Sequence, residues 1–168
     1  MVAARRAAVV LAAALTVAAC AGSRIEGNVF RGESGYRVTL PASPWQVVQA
    51  SEAGLELRHA VAPAGMLVSA TCAPAAVRRP PELLVRHLLV GVRDREILEA
   101  GEMPVNGRVA THTLLEGRWR EGEDRVRIEA YVLKGTECVY DLLYVAAPGV
   151  FAEGRDEFRR FVESFETE

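Results

Sequence analysis

Arg125-Val126-Arg127-Ile128-Glu129-Ala130-Tyr131-Val132 is the stretch whose pattern decides the fold. Val126, Ile128, Ala130 and Val132 alternate with Arg125, Arg127, Glu129 and Tyr131, the two-residue period of a strand with one buried and one wet face. Upstream, residues 96–105 and 108–120 flank Asn106-Gly107, a hairpin signal because both central positions of a type I′ turn need positive φ. Downstream, Lys134-Gly135-Thr136-Glu137 turns the chain into residues 138–147, which are apolar on both sides and so expected to be covered on both. These segments make an antiparallel meander.

Towards the N-terminus, residues 35–40 alternate and stop at Pro41, Trp45-Gln46-Val47-Val48 follows Pro44, and Leu55-Glu56-Leu57-Arg58 alternates again. Residues 65–72 are more apolar and read as a central strand. Pro80-Pro81-Glu82 opens a helix, with proline in the first turn and an acid at the positive end of the dipole. Leu84, Val85, Leu88, Leu89 and Val92 form its apolar stripe, which Gly91 and Asp94 help to end. After Pro148-Gly149, a stripe of Phe151, Phe158, Phe161, Val162 and Phe165 marks a closing helix. The expected fold class is α+β, an antiparallel sheet with two main helices packed on it, in one domain over residues 35–168. This order, with Gly35-Tyr36, Leu40-Pro41, Trp45, Tyr140-Asp141-Leu142, Phe158, Phe161 and Ser164-Phe165, resembles the PsbP-like family over residues 35–166. The resemblance implies a sheet with helices packed against it and carries over no catalytic residue; it points to scaffold, assembly or uncharacterised envelope proteins.

The chain has 168 residues, 25% of them charged, a net charge of −2, three cysteines and a mean hydropathy of +0.09. Neither a disordered nor a polytopic membrane protein fits, and no concentrated basic excess points to nucleic acid. Arg5 and Arg6 precede an apolar run over residues 7–17 broken only by Thr16, the charged and apolar regions of an export signal too short to span a bilayer. Val17-Ala18-Ala19-Cys20 resembles a bacterial lipobox. That likeness implies cleavage before Cys20, acylation of Cys20, and a membrane anchor through its acyl chains. Ala21, in place of Asp, implies sorting to the periplasmic face of the outer membrane in a Gram-negative cell. The alternative is an ordinary secretory signal cleaved after Ala19. Residues 1–19 are then signal peptide and residues 20–34, with three Gly and two Ser, a flexible tether. Without the signal, 18 basic residues face 22 acidic ones, a net charge of −4.

With Cys20 lipidated, Cys72 and Cys138 remain, an even count at the edges of two expected strands in an exported chain. A disulfide and two buried free thiols both fit. No CxxC, HExxH or GxSxG motif and no phosphate-binding glycine loop is present, so no cofactor, metal or catalytic residue is expected. His59, His87 and His112 read as structural or surface residues. Asp141, inside an apolar strand, needs a partner, and Arg108 or Arg127 is the expected one. Trp45 and Trp119 are candidates for a ligand or partner surface, against the alternative that they close the ends of a core. The sequence thus points to a membrane-anchored, non-catalytic scaffold, accessory or assembly factor with an envelope protein partner. The alternative is a small-ligand or lipid-binding protein.

Overall fold

The computed structural model describes residues 24–51, 54–119 and 122–167. The main sheet runs in the spatial order β4 (Trp45–Ala50), β5 (Gly54–His59), β6 (Ala64–Thr71), β10 (Val139–Ala146), β9 (Arg125–Lys134), β8 (Arg108–Trp119) and β7 (Val92–Val105). Every neighbouring pair is antiparallel. A smaller sheet is built from β1 (Ile25–Glu26), β2 (Val29–Gly32), β3 (Tyr36–Thr39) and β11 (Glu166–Thr167). Three helices complete the described residues: α1 (Pro74–Val77), α2 (Pro81–Leu88) and α3 (Phe151–Glu163). The α+β class and the antiparallel meander are as the sequence indicated. The Asn106-Gly107 turn takes φ of 45° and 78°, the positive values a tight I′-type hairpin needs.

The main sheet is covered on both faces. On one, α3 and the small sheet bury Phe30, Tyr36, Phe151, Phe158, Phe161 and Phe165 against Tyr131, Leu133, Tyr140, Leu142 and Tyr144. On the other, α1 and α2 bury Ala76, Leu84, Val85 and Leu89 against Leu115, Val126, Ile128, Ala130, Val139 and Leu143. β10 alternates between the two cores, which explains its apolar residues on both sides. Each buried side chain of this size contributes about 1.5–3 kcal/mol by leaving water. Gly154 on α3 permits the closest approach: a Cβ there would sit 2.5 Å from the Tyr144 hydroxyl.

Three expectations are corrected. Residues 25–34 are not tether but the first strands of the small sheet, held because Phe30 is fully buried beside Tyr36 at 6.0 Å between ring centroids. The supposed wet face of β9 is buried at Glu129 and Tyr131, because a period of two shows that two faces differ without showing that one meets solvent. Val92 joins the same core as Leu84 and Leu89, yet it begins β7, since α2 ends at Leu88. The signal peptide and Cys20 lie outside the described residues.

Candidate functional site

The strands of the main sheet end in two grooves, one at each end of β8. At its Arg108 end lies a groove of about 810 Å³. Glu33, Ser34 and Gly35 between β2 and β3, Ala70 in β6 and Cys72 after it, Gly135–Cys138 before β10, and Tyr140 and Thr167 complete its lining. The Cys72–Cys138 disulfide forms part of this wall. It joins the residues just beyond the Thr71–Val139 pair, so it ties two neighbouring strands where they leave the sheet. Closing a loop with a sequence separation of 66 stabilises by about 4 kcal/mol in the chain-entropy treatment. The Tyr140 hydroxyl donates to the Ser34 carbonyl at 3.3 Å, and Arg24 pairs with Glu33. The N-terminal segment therefore enters the described fold at this groove.

At the Trp119 end lies a second groove, of about 470 Å³, floored by Gly65, Val126 and Val145 and bordered by Pro63, Asp124 and Arg125. The Trp119 indole is 41% exposed, and among the described residues its N–H makes no hydrogen bond. Trp45 behaves differently. It is 8% exposed, its Nε1–H donates to Glu157 Oε2 at 2.8 Å, and its ring meets His59 and Tyr144 edge-on. Of the two tryptophans flagged in the sequence, one holds α3 to the sheet and only Trp119 faces an open groove.

Between the grooves, inside the α3 face, lies a charged cluster that sequence reasoning missed. Glu129 is 0% exposed and His112 3%. Glu129 Oε1 lies 3.0 Å from His112 Nε2 and accepts from the Tyr131 hydroxyl at 3.4 Å. Arg155 of α3 donates from Nε to Glu129 Oε2 at 2.8 Å, and Arg159 Nη2 lies 3.7 Å from Oε1. Burial pushes the Glu129 carboxyl up, but hydrogen bonds from His112 and Arg155, with the Arg155 charge, hold it at about 2. The available signal was Arg155 and Arg159, four residues apart and flanking the phenylalanine stripe of α3. The cluster is sealed from both grooves' linings and pins α3 to β8 and β9.

Asp141 lies on the α2 face, with Val132 and Ser69 as cross-strand partners. Neither expected arginine reaches it. Arg127 donates from Nε to Glu116 Oε1 at 2.9 Å, while Arg108 turns towards Gly135. Asp141 makes no hydrogen bond or ion pair among the described residues, and burial pushes its carboxyl up to about 6. His59 is occupied as a loop acceptor, its Nδ1 taking the Ala62 N–H at 2.8 Å. Among the described residues no three His, Cys, Asp or Glu side chains are grouped to hold a metal. No histidine lines either groove, so neither brings an imidazole to a hydroxyl or carboxylate in the manner of a nucleophile-and-base pair.

No family model and no curated protein matches the chain. Solved structures do. The cyanobacterial PsbP (CyanoP) of Synechocystis superposes with a TM-score of 0.59 at 14% identity, over 90% of this chain and 99% of that one. This is the PsbP-like fold. LpqN, described as involved in cell envelope biogenesis of Mycobacterium tuberculosis, shares it at a TM-score of 0.53 and 14% identity, over 82% of this chain and 88% of its own. A point mutant of the protein Mog1 matches at 0.55 and 10% identity, over 79% and 90%. At such identities the likeness is one of backbone, and no site residue passes from these PsbP-like chains to this one. No helix of the described residues is long and apolar enough to cross a membrane.

Proposed function

We propose that the chain is a lipid-anchored lipoprotein of the bacterial cell envelope, tethered through Cys20 and working by non-covalent contact as a scaffold, accessory or assembly subunit. The observation that carries this reading is the polarity of the domain. The chain enters beside the disulfide-lined groove, while the exposed indole of Trp119 stands at the far end of β8, an 11-step strand path of about 36 Å from Arg108. A tether at one end and an apolar contact surface at the other suit a protein that holds a partner off the membrane at raised local concentration. The Cys72–Cys138 bond fits an oxidising compartment outside the cytosol, and the envelope role printed for the similarly folded LpqN agrees with it.

Mass spectrometry of the chain extracted from native envelope tests the anchor: acyl mass at Cys20 and loss of residues 1–19 are expected, and a free Cys20 thiol overturns it. Crosslinking in intact envelope tests the partner. Wild type should capture the same protein reproducibly, and Trp119→Ala should reduce that capture; no reproducible product sinks the scaffold reading. The second reading, a small apolar ligand in the Trp119 groove, is favoured by an indole N–H that has no partner among the described residues, beside a floor of Gly65, Val126 and Val145. Native mass spectrometry of the extracted chain separates the two by showing a co-purifying small molecule.

A further inference from the structure

The end of the domain where the chain enters carries a ridge of exposed cations. Lys134 Nζ donates to the Arg79 carbonyl at 2.9 Å, which brings the end of β9 to the loop after α1. Arg108 Nη1 comes within 3.8 Å of the place a Cβ on Gly135 would occupy, next to Lys134. Arg78, Arg79, Arg108 and Lys134 are exposed and form no ion pair among the described residues. Most arginines elsewhere are matched: Arg37 with Glu166, Arg93 and Arg118 with Glu123, Arg125 and Arg127 with Glu116, Arg155 with Glu129. Glu33, Glu137 and Glu166 share this end, and Glu82 opens α2 three residues after Arg79. Arg24 takes Glu33 and Arg37 takes Glu166, which leaves Glu82 and Glu137 against four cations.

We infer that this ridge, Arg78-Arg79-Lys134-Arg108, is a docking surface for the anionic headgroups of the bilayer that holds the anchor. The inference rests on the lipoprotein reading for its geometry. Three residues, 21–23, separate Cys20 from Arg24, so the Arg24 backbone stays within roughly 14 Å of an acylated Cys20. Arg24 pairs with Glu33, Glu33 shares a groove with Arg108 and Gly135, and Lys134 adjoins Gly135. The ridge thus lies on the end of the domain that the anchor holds nearest the lipid, where an anionic leaflet attracts basic side chains that come within the Debye length of about 8–10 Å. Docking fixes orientation: the sheet stands on its Arg108 end, and Trp119 and the 87% exposed Val61 loop point away from the lipid.

The test uses the full chain, processed and extracted from membrane, in vesicles carrying a nitroxide-labelled headgroup lipid. Trp45 and Trp119 both belong to the far end and serve as native reporters; Thr136→Trp, at an exposed turn beside Lys134, adds a reporter at the ridge. On vesicles containing phosphatidylglycerol the added indole should lose most of its emission while the native pair keeps theirs. On phosphatidylcholine alone, or in high salt, that contrast should shrink. Combining Arg78→Ser, Arg79→Ser, Arg108→Ser and Lys134→Ser should abolish it, whereas Arg58→Ser, Arg86→Ser and Arg160→Ser together should leave it intact. An unchanged thermal transition shows that each variant is folded. Equal quenching at both ends, indifference to phosphatidylglycerol, or equal loss in the two sets of variants overturns the inference. The anchor is judged separately, from the acyl mass on Cys20. If that mass is absent and quenching of the added indole by anionic vesicles persists, the ridge stands and the lipoprotein reading fails.

Discussion

On the α3 face of the main sheet, four polar side chains surround a carboxylate of β9; on the opposite face, a carboxylate of the adjacent β10 makes no hydrogen bond or ion pair among the described residues. Glu129 has His112, Tyr131, Arg155 and Arg159 around it, and Asp141 has Val132 and Ser69 across the strands. Burial acts on both in the same direction, raising the carboxyl pKa. The partners reverse it for Glu129, to about 2, and nothing reverses it for Asp141, at about 6. The covering elements differ. α3 carries arginines at the edges of its apolar stripe, whereas α1 and α2 present Ala76, Leu84, Val85 and Leu89 to the opposite core. A desolvated charge is therefore tolerated where a long cationic side chain reaches it, and carries a cost where none does.

The contrast breaks most severely at Glu129. Glu129→Gln strips the carboxylate from two arginines and a histidine, and should lower the unfolding free energy at pH 7 by about 3 kcal/mol in denaturant titration. In the wild type the folded-state pKa lies below the unfolded value of 4.5, so this contribution is present above pH 4.5 and is lost as pH falls towards 2. The variant should show a flatter stability profile across that acid window. A loss under about 0.5 kcal/mol would mean that the cluster does not hold α3 to the sheet.

Asp141→Asn should act in the opposite direction and more weakly. Its folded-state pKa lies above the unfolded value of 3.8, so the carboxyl costs nothing below pH 3.8, costs progressively more up to about pH 6, and bears its full penalty above that. Removing the charge should stabilise the chain by about 1–2 kcal/mol at pH 7, with the gain vanishing at pH 3.8. Together the two groups predict that wild-type stability rises as pH drops from 7 towards 5 and collapses below 4.5. A thermal-melt series across that range checks both limbs.

Much of the backbone could be read before the structure, and the reasons are local. Alternation along β5 and β9, the two-sided apolar run of β10, the Asn106-Gly107 turn and the Pro80-Pro81 helix start are written within a few residues of where they act. What escaped depends on elements far apart in the chain. The role of Glu129 needs α3, 26 positions later, to fold back over β9. Burial of Phe30 needs β11, at the other end of the chain, to complete the small sheet on β3. Residues 25–34 are rich in glycine and charge, and it is strand pairing with β3 and the contact of Phe30 with Tyr36 that separate them from a tether. The same limit applied to the tryptophans: both stand at strand ends beside turns, and only the reach of Glu157 from α3 removes Trp45 from the surface.

That difference between the tryptophans gives the smallest effect on stability and the sharpest one on contact. Trp45→Phe keeps an aromatic ring in the core but leaves Glu157 without its donor, so it should cost about 1 kcal/mol and leave envelope crosslinking unchanged. Trp119→Ala removes a residue that is already 41% exposed and has no polar tie among the described residues, so its stability cost should stay below about 1 kcal/mol. If the Trp119 groove is where a partner or ligand sits, this variant nevertheless loses the captured species, because a large aromatic ring at the mouth of an apolar groove is the kind of residue on which contact energy concentrates. Melting temperature and captured product, measured on the same two variants, should therefore rank them in opposite orders. If both measurements rank them alike, Trp119 is only a closing residue of the α2 core, and the contact surface must be sought elsewhere on the domain.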